Sequence, residues 1–303
     1  MLVKILGSAA GGGFPQWNCN CRNCAGVRAG TVRARPRSQS SIAVSSDGEQ
    51  WVLFNASPDI LAQVRATPAL QPRSALRGSG IAAVVLTDGQ VDHVTGLLLL
   101  REGNRLPLYA TELVHDDLTR GFPVLPVLDH FCGVDWHCIA INERWFTIAG
   151  IDEIELRAVP LLSKPAPFSP RRDAPQPGDN IGIMIRDRQT RRSVLYAPGI
   201  AEIDEGVGRA MATADCLLVD GTFWTDDEMI GLGVGRKRAR EIGHLPQYGA
   251  GGMIERLREF PQARRVLIHI NNTNPILDEG SSERRTLERE GIEVAFDGME
   301  LVL

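Results

Sequence analysis

The chain carries little net charge of either sign: 33 Lys and Arg stand against 37 Asp and Glu, a formal net charge of -4 over 303 residues. A nearly balanced, slightly acidic chain has no electrostatic case for a polyanion, so nucleic acid is set aside as a partner. No apolar run approaches the roughly 20 residues of a membrane span. The opening run MLVKIL breaks at Gly7, short of a secretory signal core. No membrane partner is expected, and a cytoplasmic location is. The glycine run at 11–13 lacks both the Lys-Ser/Thr of a phosphate loop and the spacing of a dinucleotide fingerprint, so a tight turn beside a site is the better reading. No internal repeat, low-complexity tract or clean linker divides the chain.

What is present is ordinary globular composition, 43% hydrophobic and 23% charged, in a length that buries a large core without staples. Short apolar runs at 3–6, 40–44, 51–54, 81–86, 106–110, 145–148, 154–159, 181–185, 194–197, 216–219 and 266–270 read as strands. Helices are expected from Ile60, over 94–100 and over about 246–260. The alternation is that of one mixed α/β domain spanning 1–303.

Chemistry concentrates between the strand at 81–86 and the helix that follows. Asp88, Gln90, Asp92 and His93 crowd a turn at the C-terminal end of a buried strand, where α/β folds place ligands and reactive groups. An Asp-His pair there also fits as a helix cap. Asp220 ends another apolar strand, His244 precedes a helix, and His269 lies on a third strand. His115, His130 and His137 have no partner at metal-ligand spacing and read as surface or core residues. The RARPR run at 33–37 reads as a solvated loop, and the Pro- and Arg-rich stretch 163–179 as a long binding loop or lid. Lys164 and Phe168 are its candidate substrate contacts.

Cys19, Cys21 and Cys24 form a second cluster, in a loop at about 17–26. Three thiolates so close in a reducing compartment can converge on one zinc ion, with the fourth ligand supplied by a distant segment or another chain.

The motifs GSAAGGGFPQWNCNCRNC, TDGQVDHVTGLL, GHLPQYG and HINNTNP, taken together, resemble the pyrroloquinoline quinone (PQQ) biosynthesis protein B family, a divergent branch of the metallo-β-lactamase superfamily. The resemblance implies an αββα four-layer sandwich with its site at the sheet edges, a structural zinc loop and a homodimer. Of the superfamily signature HxHxDH only the last two letters survive, as Asp92 and His93; its first two histidine slots hold Asp88 and Gln90. The middle-loop histidine falls near Ser163 and the bridging aspartate at Gly199. What the resemblance leaves is one active-site divalent metal held by Asp92, His93 and His269, with Asp88, Gln90, Asp220 and His244 orienting ligands or moving protons. In the related zinc-loop subclass the fourth zinc ligand lies three residues beyond the last catalytic histidine, a position that falls here on Asn272.

Two imidazoles and one carboxylate form the facial set typical of non-haem Fe(II) oxygenases. The resemblance thus implies an iron-dependent hydroxylase acting on the tyrosine of a small peptide or a Glu-Tyr dipeptide. A carrier of finished PQQ and a metal-dependent hydrolase stand as alternatives.

Overall fold

A computed structural model describes residues 1–74 and 76–303. In chain order the first sheet takes β1 (Leu2–Gly7), β2 (Ser41–Ser45), β3 (Trp51–Phe54), β4 (Ile81–Val85), β5 (Leu106–Ala110) and β6 (Val134–Cys138). The second takes β7 (Phe146–Ile148), β8 (Ile151–Pro160), β9 (Ile181–Asp187), β10 (Ser193–Ala197), β11 (Cys216–Asp220), β12 (Arg264–Ile268) and β13 (Ile292–Val294). The last strand, β14 (Glu300–Val302), returns to the first sheet beside β1.

β3 to β6 run parallel, as do β10 to β13, while β1, β2 and β7 to β9 pair antiparallel. The parallel strands β10 and β11 are buried at every position, which is why they read as unbroken apolar runs rather than alternating ones.

The sheets face each other across a core that interleaves Ile42, Phe54 and Val85 of the first with Ile183, Tyr196, Leu218 and Ile268 of the second. The opposite face of each sheet is covered by helices. Leu53, Val84 and Leu108 pack on Ile60, Leu97 and Leu118; Leu195, Leu217 and Leu267 pack on Val207, Met211, Leu257 and Leu287. The four layers are the expected αββα sandwich. Fully buried leucines such as Leu53 and Leu217 each stabilise it by about 2–3 kcal/mol relative to exposure.

Several local expectations need correction. The helix expected over 94–100 is one α turn, Val91–Val94, continued as a 3-10 turn, Thr95–Leu100. Its Gly96 lies so close to the carbonyls of Ala56 and Ser57 that an added Cβ would fall 2.2 Å from an oxygen, and this approach pins the turn against the chain after β3. The helix expected over 246–260 shrinks to Met253–Leu257, because Gly249 and Gly251 take φ of 106° and 65°, outside helical space. Arg37, read as solvated, is buried: it donates to Ser8 Oγ and the Ala295 carbonyl.

Candidate metal centre

The C-terminal ends of β4, β11 and β12 meet at one edge of the sandwich and line a cavity of about 290 Å³. β4 delivers Thr87 and Asp88. Asn55, just past β3 and held at φ 61°, bonds Thr87 through both ends of its amide at 3.0 Å. The turn that follows carries Asp92 and His93. β12 delivers His269, itself in left-handed backbone space at φ 60°; a non-glycine residue held there marks a position the surroundings over-determine.

Each imidazole is oriented by its Nδ1 edge. His93 Nδ1 lies 2.8 Å from Asp88 Oδ1, His244 Nδ1 lies 2.7 Å from Asp220 Oδ2, and His269 Nδ1 lies 2.9 Å from Thr222 Oγ1. The Thr222 hydroxyl in turn donates to Asp220 at 2.6 Å. Nδ1 is the hydrogen-bonded edge of all three rings, so a proton kept there and released from Nε2 gives each ring a lone pair for a metal. His269 Nε2 sits 3.3 Å from Asp92 Oδ2. His93 Nε2 is buried without a hydrogen-bond partner, 3.9 Å from the same oxygen.

The charges agree. Burial opposes a charge on His93, yet the carboxylates of Asp88 and Asp92 outweigh it and push the imidazole up to about 9. Burial also works against ionising Asp92 and Asp88, but His93 holds both well below the usual carboxylate range. Asp220 is held down against its burial by His244, whose own value Asp220 raises. A buried pocket that accumulates carboxylates and draws protons onto its histidines is short of positive charge, and a divalent cation supplies it. Asp92, His93 and His269 offer ligand atoms within 4.8 Å of one another, and Asp220, His244 and His269 form a second such group. The residues fit a divalent ion.

Gln90 lines the cavity but spends its amide on the Lys164 carbonyl at 3.1 Å, tethering the 161–180 loop. Ser163 and Gly199, where the superfamily's lost ligands were mapped, line the cavity too, as does Lys164. Phe168, an expected substrate contact, does not: it packs on Phe122 at 5.6 Å between ring centroids. His115 stacks on Trp136, His137 on Tyr109, and His130 is exposed; none lines the cavity.

Sequence reasoning missed Thr222, Asn55 and Arg172. Thr222 was legible as the residue two beyond a strand-ending Asp, where an Asx turn folds back. Nothing local marks the other two.

Cys19, Cys21 and Cys24 converge as expected, Cys24 completely buried. The Asn272 amide points into the cluster, its nitrogen 3.1, 3.7 and 3.4 Å from the sulfurs of Cys19, Cys21 and Cys24. Burial raises the Cys21 thiol to about 11, its neighbours adding to the shift. The three thiols suit zinc, but the Asn272 amide turns its N–H donors, not its oxygen, toward the sulfurs, so as oriented here it bonds to the cluster and offers no fourth ligand atom. A second cavity, of about 310 Å³, opens beyond Cys21 and Asn23. Its wall includes Glu228, which burial raises to about 7 and which accepts from Thr273 Oγ1 at 2.5 Å.

The layered sheets and the carboxylate-imidazole cavity define a β-lactamase superfamily fold, and the profile of the family described as a beta-lactamase superfamily domain matches residues 50–270. The chain is 54% identical over 304 residues to the coenzyme PQQ synthesis protein B of Methylococcus capsulatus, covering all of both chains. To that of Cupriavidus taiwanensis it is 58% identical over 302 residues, covering 99% of each. A crystal structure of Zn(2+)-bound PqqB from Methylobacterium extorquens superposes with a TM-score of 0.91 at 41% identity, covering 100% of both chains. The chain therefore belongs to the coenzyme PQQ synthesis protein B family.

Proposed function

We propose that the chain hydroxylates the tyrosine ring of a peptide-derived Glu-Tyr precursor of PQQ, with ferrous iron in the cavity. The observation that carries this reading is the buried, unpartnered Nε2 of His93 beside Asp92 and His269: one carboxylate and two imidazoles, with room left in the cavity for a substrate. Ferrous iron, when bound, supplies O₂ binding and redox chemistry. The chain's own groups do the rest. Asp88 and Thr222 fix the rings of His93 and His269 through their Nδ1 protons. His244, held by Asp220, presents its free edge to the cavity, where it can take a phenol proton. Converting a ring C–H to C–OH places one atom of O₂ in the product and sends the other to water, with two electrons from an external reductant.

The test reconstitutes the protein anaerobically with Fe(II), then admits air, ascorbate and a Glu-Tyr dipeptide. Oxygen uptake matched by a mass gain of one oxygen on the dipeptide supports the reading. No uptake in any iron-loaded sample overturns it.

A hydrolytic reading draws on one observation, the second ligand group of Asp220, His244 and His269, which shares His269 with the first and resembles half of a two-ion site. Cleavage of a phosphodiester surrogate without O₂ would favour it. Stoichiometric, unconsumed binding of PQQ would favour a carrier.

A further inference from the structure

The loop 161–180 carries two adjacent arginines with opposite fates. Arg171 is consumed by the fold: its guanidinium meets Asp117 at 2.8 Å and Asp179 at 2.7 Å and donates to the Leu113 carbonyl. Arg172 lines the metal cavity, and among the described residues it has no acidic partner, only the Pro165 carbonyl of its own loop. Lys164, one of three lysines in the chain, lines the same cavity, and among the described residues its ammonium makes neither an ion pair nor a hydrogen bond.

These two cations are held in place, not left trailing. The loop is tied down by Ser163 Oγ to the Gly243 carbonyl at 2.8 Å, by Gln90 to the Lys164 carbonyl, and by Asn180 to the Ser163 carbonyl at 3.3 Å. In a chain of net charge -4, with acidic residues to spare, leaving two half-buried cations unpaired at one cavity costs stability unless something else meets them. The carboxylates on the cavity floor do not, since each is engaged with a histidine.

We infer that Lys164 and Arg172 form an anion-recognising wall, and that the cavity's ligand is an organic carboxylate whose acidic arm meets this wall while its remaining body lies over the metal site. A planar guanidinium takes a carboxylate through two parallel bonds, and an ammonium adds a point charge. The inference rests on reading this cavity as the substrate site, and adds to that reading the chemical handle by which substrate is oriented.

The test uses full-length protein loaded with zinc, which binds without turnover. Calorimetric titrations compare Glu-Tyr with Gln-Tyr amide, its counterpart lacking both carboxylates, and isophthalate with isophthalamide. Charge-assisted bonds of this kind change affinity by roughly tenfold or more each. Each acid is therefore expected to bind at least about tenfold tighter than its amide. Lys164→Met and Arg172→Gln should each weaken the acids about tenfold and leave any amide binding unchanged, with the zinc content of both variants intact.

If isophthalate binds in this way and Glu-Tyr does not, the anion wall stands and the Glu-Tyr reading falls. Acids and amides of equal affinity, equal losses for both in the variants, or no binding of either acid would overturn the wall itself.

Discussion

Asp88 with His93 and Asp220 with His244 are one construction made twice: a carboxylate at the C-terminal end of a parallel strand, bonded to the Nδ1 edge of a following histidine at 2.8 and 2.7 Å. His269 stands between them, its ring centroid 5.2 Å from that of His93 and 5.4 Å from that of His244. The surroundings separate the two. The His93 side chain is 3% exposed and faces a second carboxylate, Asp92, whereas His244 is 17% exposed and packs edge-on against Phe223. On the proposed reading, the same pair would serve as a metal anchor where it is sealed against another carboxylate, and as a cavity-facing proton carrier where it is open. Enclosure, not residue identity, assigns the role.

The sharpest way to break this comparison is to remove one histidine from each pair. His93→Ala should abolish metal uptake at the cavity, lowering content from two ions per chain to one by elemental analysis, while His244→Ala retains both. Equal losses would mean that the pairs are equivalent. Cys24→Ser should do the reverse of His93→Ala, emptying the cysteine cluster and leaving the cavity ion, with a fall in Tm on the order of 5 °C or more by calorimetry.

A milder cut targets the carboxylates. Asp88→Asn should weaken cavity metal affinity about 10- to 100-fold in a competition titration. Asp220→Asn should change it less than about threefold and instead move the pH profile of turnover. Similar losses in both would erase the distinction drawn between the pairs.

The smallest effect expected lies outside both pairs. The folded-state pKa of Glu228, raised by burial to about 7, exceeds its ordinary 4.5, so the native state keeps a proton that the unfolded chain has released. Stability should therefore fall as pH rises from about 4.5 to 7 and level off above, by at most roughly 3 kcal/mol. Urea unfolding of wild type and Glu228→Gln at pH 5 and pH 8 checks this, since the variant should lose less between the two.

The layered fold was legible because its strands are short, apolar and β-branched, and because the motif order around them matches one family over the whole chain. That Asp92, His93 and His269 come together was legible for the same reason, since they sit where strand ends put them. Two helices were overdrawn. Apolar content extends past Val94 and on both sides of Met253, but a carbonyl pressed against Gly96 and the positive φ of Gly249 and Gly251 are tertiary and backbone facts that hydrophobic pattern does not encode. Arg37 in an RARPR run looks like surface, and only the fold brings Ser8 and the Ala295 carbonyl to it. Arg172 was hidden by its neighbour: one arginine of the pair feeds the fold and the other the cavity, and sequence alone does not say which.

The candidate anchor is split between the two sheets, Asp92 and His93 following β4 of one and His269 following β12 of the other. Neither half holds all three of these residues, so an ion held by them would bind only the closed sandwich and its occupancy would act as a latch on assembly, unlike one on Asp220, His244 and His269, which all belong to the second half. By mass action a metal present at 100 times its dissociation constant deepens the native basin by about 2.7 kcal/mol relative to states in which the halves have parted. Metal supply would then set how long the two halves stay joined as well as whether the site can work.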